Sequence, residues 1–183
     1  DLDGNGDLEI IAGNDSGNLY VLHHDGTEMI SFDTGDDIRG GISVADLNDD
    51  GSVELLFSGY DDMIHVWNPN TGTELEGWPI DLGYNSLSGP ITADLDNDGD
   101  LEVIAAMKSG TVNIFHHDGS LFNGFPTTLG GDIYSTPAIG DLDSDGDYEL
   151  IVGTTQCLHV FDIKSDKGNR SSWNMHRGNQ LRN

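Results

Sequence analysis

The chain has 183 residues and carries 33 Asp and Glu against 7 Lys and Arg, which gives a formal net charge of −26 at pH 7. This charge excludes nucleic acid as a partner and opposes contact with anionic membranes, because both need a basic protein surface that displaces counterions. The single cysteine, Cys157, excludes an intrachain disulfide, and no apolar run has the length of a membrane span or the pattern of a signal peptide.

A nine-residue acidic motif, close to Asp-x-Asp-x-Asp-Gly-x-x-Glu, organises the chain. It occupies residues 1–9, 46–54, 94–102 and 141–149, so successive copies begin 45, 48 and 47 residues apart. This spacing matches one four-stranded blade of a β-propeller. Because the acids are clustered at repeated positions between apolar runs, we exclude the disordered chain that the net charge alone would suggest.

The segments between the motifs follow one order in every repeat. Each motif leads into a short apolar strand, and a turn and a second strand follow. The first strands are predicted at 9–13, 54–59, 102–106 and 149–153, and the second strands at 19–23, 64–68, 112–116 and 158–162. Hairpin turns with glycine, an aromatic residue before proline and a segment of small residues complete the repeat. No segment has sustained helical periodicity.

We therefore predict an all-β chain, a β-propeller-type array of four-stranded blades with about four repeats, the first incomplete. The first strands are apolar on both faces, as expected of strands packed between neighbouring blades. The predicted units are a partial blade 1 at 1–39, blade 2 at 40–87, blade 3 at 88–134, and blade 4 with a C-terminal tail at 135–183. Because no strand precedes Asp1, we expect a fragment of a larger propeller, or a sheet completed by other subunits.

The acidic motif has the donor spacing of a calcium loop. Ca²⁺ binds about six to eight oxygen atoms, and alternate positions of a curled loop supply them, while glycine at position 6 permits the sharp turn. The predicted metal ligands are Asp1, Asp3, Asn5, Asp7 and Glu9 in loop 1; Asp46, Asn48, Asp50, Ser52 and Glu54 in loop 2; Asp94, Asp96, Asp98, Asp100 and Glu102 in loop 3; and Asp141, Asp143, Asp145, Asp147 and Glu149 in loop 4. Position 7 is expected to contribute its backbone carbonyl, so Ser52 is acceptable there.

An EF-hand is excluded by the position of the closing acid. In that motif the glutamate stands at position 12 and a helix follows. Position 12 in this chain is an apolar residue within a predicted strand, namely Ala12, Phe57, Ala105 and Val152.

The segments 41–59 and 136–153, each an acidic motif with its flanking strands, resemble FG-GAP or VCBS-type repeats. Such repeats build β-propellers like the head of integrin α subunits and occur in many bacterial surface and secreted proteins. The resemblance covers nearly the whole chain. It implies a calcium ion in each loop, about four in all, and an extracellular location, either secreted or at the cell surface, although no signal peptide is present in this chain.

No catalytic motif accompanies the loops, so we expect the chain not to be an enzyme. The histidine pairs at 23–24 and 116–117 lie in equivalent hairpins beside Asp-Gly turns, which favours a shared hairpin role over a zinc or copper site. We predict a non-catalytic, calcium-stabilised extracellular β-propeller module that binds protein or carbohydrate in adhesion or as a scaffold.

Two alternatives stay open. The first is a surface fibre subunit that self-associates by strand exchange, because an incomplete propeller has unpaired strand edges. The second is the propeller portion of a secreted polysaccharide lyase or hydrolase. The expected partner is thus a protein, a carbohydrate or a second copy of the chain, without nucleic acid and without membrane insertion.

Overall fold

The computed structural model describes residues 1–163 and the backbone of residues 171–175. Sheet 1 contains β1 (Ile10–Gly13), β2 (Asn18–Leu22) and β3 (Glu28–Asp33). Sheet 2 contains β4 (Ser43–Ala45), β5 (Glu54–Ser58), β6 (Met63–Asn68), β7 (Thr73–Glu74) and β8 (Ile80–Asp81). Sheet 3 contains β9 (Ile91–Ala93), β10 (Glu102–Ala106), β11 (Thr111–Phe115) and β12 (Thr127–Thr128). Sheet 4 contains β13 (Ala138–Gly140), β14 (Tyr148–Gly153), β15 (Leu158–Ile163) and β16 (Ser171–Met175).

Each sheet is antiparallel, and its strands are neighbours in the order of the chain. The short strands β7 and β8 both pair with β6, so sheet 2 has one strand more than sheets 3 and 4. The predicted all-β array is confirmed. Within the described part of the chain there is no helix that is long and apolar enough to span a bilayer.

Strand register brings the two ends of an acidic loop together. Loop 2 connects β4 to β5, where Ala45 pairs with Glu54. Loop 3 connects β9 to β10, where Ala93 pairs with Glu102. Loop 4 connects β13 to β14 in the same register. In loops 2 to 4 the residue before position 1 is therefore opposite the glutamate at position 9, because antiparallel pairing fixes the two strand ends side by side.

The hydrophobic core lies between successive sheets. One cluster joins sheets 1 and 2 around Phe57 and Trp67, a second joins sheets 2 and 3 around Trp78 and Phe115, and a third joins sheets 3 and 4. Every residue of β5 and of β10 is buried, which confirms that these strands are covered on both faces. Burial of both faces against neighbours is how stacked repeats stabilise sheets that could not be stable singly.

Strand β1 differs from its counterparts. Its residues alternate between exposed and half-buried, and Ile10 is 50% exposed. Among the described residues only sheet 2 packs against sheet 1, so one face of β1 lacks the cover that β5 and β10 have.

A buried ion-pair network lies in sheet 2. The His65 side chain is 6% exposed, and its Nδ1 and Nε2 lie 2.6 Å from Glu74 Oε1 and 2.7 Å from Asp61 Oδ2. Its ring stacks on Phe57 at 4.8 Å between centroids and meets Phe32 edge-on. Burial alone would lower the pKa of His65, but the hydrogen bonds and charges of the two carboxylates outweigh it and raise the pKa to about 9.

We predict that sheet 2 loses stability at alkaline pH through His65. Because the folded-state pKa of about 9 lies above the ordinary 6.5, the proton stabilises the fold fully below pH 6.5, and that stabilisation is lost as pH rises through 9. The effect is on the order of 3 kcal/mol. Urea unfolding at neutral pH and at pH 10, with an NMR titration of the His65 ring, measures it.

The matched control for this prediction is His159→Gln. His159 is also buried and has the repeat position of His65, but burial lowers its pKa. His65→Gln should abolish most of the alkaline loss and His159→Gln should leave it in place. A His65 ring that titrates near pH 6.5 would contradict the ion-pair assignment.

Candidate metal centre

The four acidic loops share one pattern of internal hydrogen bonds. The N–H of the glycine at position 6 donates to a carboxylate oxygen of position 1 at 2.9–3.3 Å in the pairs Gly6–Asp1, Gly51–Asp46, Gly99–Asp94 and Gly146–Asp141. The N–H of position 7 donates to the side-chain oxygen of position 5 at 2.8–3.1 Å in every loop. The position-6 glycines have φ between +87° and +101°, a conformation that a residue with a Cβ rarely adopts. The loops thus curl around their own carboxylates.

The glutamate at position 9 closes each loop. Its Oε2 accepts a hydrogen bond from the N–H of the leucine at position 2, at distances of 2.5, 3.1, 2.6 and 2.5 Å in loops 1 to 4. These glutamates are buried: Glu54 and Glu102 are fully covered, and the side chain of Glu9 is 1% exposed. The sequence predicts them as metal ligands; the structure shows that one carboxylate oxygen of each already binds the loop backbone.

The second oxygen of these glutamates differs between loops. Oε1 of Glu54 accepts a hydrogen bond from Asn68 at 3.1 Å, and Oε1 of Glu102 lies 3.1 Å from His116 Nδ1. Oε1 of Glu9 and Oε1 of Glu149 are buried without a hydrogen-bond partner. A buried carboxylate oxygen that lacks a donor is costly, and a bound cation would remove that cost.

Electrostatics within the loops also favour a cation. Burial raises the pKa of Glu54 and Glu149, and it raises that of Glu102 to about 7. Burial, together with the nearby charge of Asp98, raises the pKa of Asp96. Carboxylates that are crowded and partly removed from water disfavour their own negative charge, and positive charge placed between them reverses that preference.

The predicted ligands converge in loops 1, 3 and 4. In loop 3, oxygens of Asp94, Asp96 and Asp98 lie within 4.8 Å of one another, and Oδ1 of both Asp94 and Asp96 is buried without a hydrogen-bond partner. Loop 4 brings together Asp141, Asp143 and Glu149 in the same way. The donor chemistry of these groups, all oxygen and mostly anionic, fits Ca²⁺.

Loop 2 has a weaker set of donors. Position 3 is Asn48, whose Oδ1 is buried and unpartnered and whose Nδ2 donates to Asp50 at 3.2 Å. Within the described residues, loop 2 provides no group of three acidic or histidine donors within 4.8 Å. Asp46 and Asp50 hold the backbone of the loop through Gly51 and Ser52.

One side chain at the end of the second strand, or one residue from that end, faces the acidic loop. Sequence analysis favoured a hairpin role over zinc or copper binding for the two histidines at this position, and it did not consider the Asn or Asp of the other repeats as ligands. This position is His23, Asn68, His116 and Asp162 in repeats 1 to 4. His23 Nδ1 lies 3.6 Å from Asp3, His116 Nδ1 lies 3.9 Å from Asp96, and an Asp162 oxygen lies within 4.8 Å of oxygens of Asp145 and Asp147. The signal was present in the sequence, because the four residues align and all are metal-binding types.

The second histidine of each pair lies farther out. His24 Nδ1 is 3.3 Å from Asp7, and His117 Nδ1 is 3.1 Å from Asp100. Both aspartates stand at position 7, which the sequence predicts to act through its carbonyl. In loops 1 and 3 the side chain of position 7 thus contacts a histidine.

Comparison with protein families matches the chain to the FG-GAP-like repeat. It occurs three times, at residues 1–57, 46–105 and 94–152. Each match begins at the first residue of an acidic motif and runs through the next one. A comparison with curated proteins found no significant match.

Several solved structures share the fold. The Vibrio cholerae biofilm matrix protein Bap1 has a TM-score of 0.69 at 23% identity, over 92% of this chain and 26% of that one. The C-terminal domain of Pseudomonas aeruginosa PilY1 has a TM-score of 0.62 at 20% identity, over 85% of this chain and 38% of that one. BamB from Moraxella catarrhalis has a TM-score of 0.58 at 20% identity, over 85% and 43%. The chain therefore spans less than half the length of each of these proteins.

We predict that the closing glutamate stabilises its loop even without metal. Glu54→Ala leaves the buried N–H of Leu47 without an acceptor, so the free energy of unfolding should fall by about 1–3 kcal/mol. Urea unfolding in excess chelator measures the loss.

The control is Asp50→Ala in the same loop. Asp50 is exposed, and water can replace its bond to Ser52, so the change should stay within about 0.5 kcal/mol. Equal losses in the two variants would show that Glu54 does not close the loop.

Proposed function

Because this chain belongs to the FG-GAP-like repeat family, we propose that it is a calcium-stabilised, non-catalytic β-propeller module that lies outside the cell and binds a protein or carbohydrate partner. One observation carries the calcium part of the proposal. A loop of the same geometry occurs four times, and buried carboxylate oxygens without a donor point into loops 1, 3 and 4.

The ligands of each ion would come from one loop. Side-chain oxygens at positions 1, 3 and 5, the carbonyl at position 7 and the Oε1 oxygen at position 9 would make a set that suits Ca²⁺. The ion supplies positive charge and a fixed centre for these oxygens. Four calcium ions carry eight positive charges, which would bring the formal charge of −26 to −18.

The conformation of an acidic loop is coupled to the packing between neighbouring sheets. The position-2 leucines Leu47 and Leu95 are buried in the clusters between sheets 2 and 3 and between sheets 3 and 4. The N–H of Leu101 in loop 3 also donates to the carbonyl of Leu47 in loop 2 at 3.0 Å. An ion that holds a loop closed would therefore stabilise the contact between two sheets, which is the property expected of a structural metal site.

An extracellular setting agrees with this chemistry. Calcium modules outside cells bind with dissociation constants of about 10⁻⁴ to 10⁻³ M, which matches calcium concentrations there. Bap1, which shares the fold, is a biofilm matrix protein. We extend from it to this chain only the general setting of a matrix domain outside the cell, since the identity of 23% supports no closer transfer.

Removal of calcium should lower the thermal stability of the chain. A site filled at about 100 times its dissociation constant adds about 2.7 kcal/mol to the free energy of unfolding, so several sites together should move the transition by many degrees. Thermal melts with calcium, with magnesium at equal ionic strength and with chelator measure the effect. Calorimetric titration should count four calcium sites.

The double variant Asp94→Asn/Asp96→Asn provides the matched control, because it should remove only the site of loop 3 and leave three. Melts that coincide in calcium and in chelator would refute the calcium proposal.

The binding role predicts retention of the calcium-loaded chain on a glycan or protein array, with loss of the signal in chelator. The same preparation, incubated with acidic and neutral polysaccharides, should release neither reducing nor unsaturated ends. Release of either would instead support a lyase or hydrolase. Filaments in electron micrographs that dissolve in chelator would support strand exchange between subunits.

A further inference from the structure

The identity of one residue divides the four loops into two classes. The residue at the end of the second strand, or one residue from that end, is histidine in repeats 1 and 3, but Asn68 and Asp162 in repeats 2 and 4. We propose that loops 1 and 3 bind a first-row transition-metal ion, with Zn²⁺ as the representative, whereas loops 2 and 4, which lack the histidine, do not. The inference rests on the proposed function in taking the loops to be metal sites, but it does not require that any of them binds calcium.

In loop 1 the site consists of Asp3, Glu9 and His23. One ligand atom from each lies within 4.8 Å of the other two, and His23 Nδ1 is 3.6 Å from Asp3 Oδ2. The Glu9 side chain is 1% exposed and its Oε1 has no hydrogen-bond partner. A buried carboxylate oxygen without a hydrogen-bond donor is costly, and a cation bound between it and the imidazole nitrogen would remove that cost.

In loop 3 the equivalent residues form the same group. Asp96, Glu102 and His116 offer ligand atoms within 4.8 Å of one another. His116 Nδ1 lies 3.1 Å from Glu102 Oε1 and 3.9 Å from Asp96 Oδ2, and Glu102 is fully buried. The two sites thus arise from the same three repeat positions, although the loops are separated by a whole blade that lacks the histidine.

Donor type favours a transition metal at these two sites. Ca²⁺ takes oxygen ligands, whereas neutral imidazole is a preferred ligand of Zn²⁺, Ni²⁺ and Cu²⁺. Two ligand atoms that share a tetrahedral zinc ion at about 2.0–2.2 Å lie roughly 3.3 Å apart. The separations of 3.1, 3.6 and 3.9 Å need only small side-chain rotations to reach that value. His23 and His116 are about a third exposed, so solvent reaches both sites.

A purely structural role of His23 and His116 in their hairpins, without a metal, explains less of the arrangement around Glu9 and Glu102. If the histidines served only to bond the closing glutamate, both would reach it. His116 does so, but Oε1 of Glu9 has no hydrogen-bond partner although His23 is close. A common metal explains both loops, since it needs the three ligand atoms around one point and no direct bond between them.

Zinc and calcium would exclude each other in loops 1 and 3. Positions 3 and 9 belong to both ligand sets, and Asp96 is shared between the group with His116 and the group with Asp94 and Asp98. We therefore expect zinc-loaded protein to bind two calcium ions, in loops 2 and 4, where metal-free protein binds four.

Calorimetric titration of the metal-free full chain with Zn²⁺ tests the inference. Two strong sites are expected. The double variant His23→Asp/His116→Asp, which gives loops 1 and 3 the residue that loop 4 carries, should lower zinc affinity by at least about tenfold, because even outer partners of metal ligands cost that much. The same variant should gain affinity for calcium. NMR shifts of the histidine ring nitrogens should report binding through Nδ1 in the unaltered chain.

A gain-of-function variant keeps the test independent of damage to the fold. Asp162→His gives loop 4 the histidine of loops 1 and 3 and should add a third zinc site. The control is His24→Gln/His117→Gln, which changes the outer histidines and should leave the two zinc sites intact. Equal zinc isotherms for the unaltered chain and His23→Asp/His116→Asp would overturn the proposal, as would loss of zinc binding in the control.

Calcium titrations of the same proteins separate this proposal from the proposed function. Zinc binding that depends on His23 and His116, with no calcium binding, supports the zinc sites and overturns the calcium module. Four calcium sites, together with zinc binding that is weak and independent of the two histidines, would support the calcium module and overturn the zinc sites.

Discussion

In every acidic loop, the N–H of the leucine at position 2 donates to a glutamate seven residues later. In loops 2 to 4 this glutamate lies in a strand that pairs with the strand before the loop. This hydrogen bond ties three levels of the structure together. It closes the loop around its carboxylates, it buries the glutamate, and in loops 2 and 3 it places the leucine between two sheets. A buried N–H and a buried carboxylate each need a partner. The same bond therefore shapes the candidate metal site and contributes to the packing between neighbouring sheets.

The pattern of exposed residues follows from that stacking. Leu47 and Leu95 are covered by the sheet that follows theirs, whereas Leu142, at the same motif position in loop 4, is 60% exposed. At position 8, Leu101 packs against the cluster between sheets 2 and 3, whereas Leu8 is 73% exposed. The motif residues are thus built to contact neighbouring sheets on two sides. Among the described residues, a motif leucine is buried where a neighbouring sheet covers it and exposed where none does.

Because the chain has 33 acidic and 7 basic residues, its carboxylates repel one another in the folded state. Two cationic side chains each neutralise a pair of carboxylates. Arg39 lies between Asp15 and Asp37, and protonated His65 lies between Asp61 and Glu74. The loops concentrate the remaining charge at points where a bound metal would neutralise it. One residue near the end of the second strand differs between the loops, being histidine in repeats 1 and 3, Asn68 in repeat 2 and Asp162 in repeat 4, and it changes the donor atoms that each loop offers.

The sequence by itself determined the repeat, the all-β class and the positions of the loops, because period, apolar runs and turn residues are local properties of the chain. It also supplied the oxygen donors, since alternate acids around a glycine are close in any curled loop. Only the tertiary structure decided that Glu9 and its counterparts bind the loop backbone, that β1 is uncovered on one face, and that His23 and His116 face the acids. The first of these outcomes is a contact between residues seven apart in a folded loop. The other two depend on pairing and packing between more distant segments, such as Glu102 and His116, which are 14 residues apart. Strand register decides on which face of a sheet a side chain lies and therefore whether it faces a loop. The spacing of motifs along the chain does not specify that register.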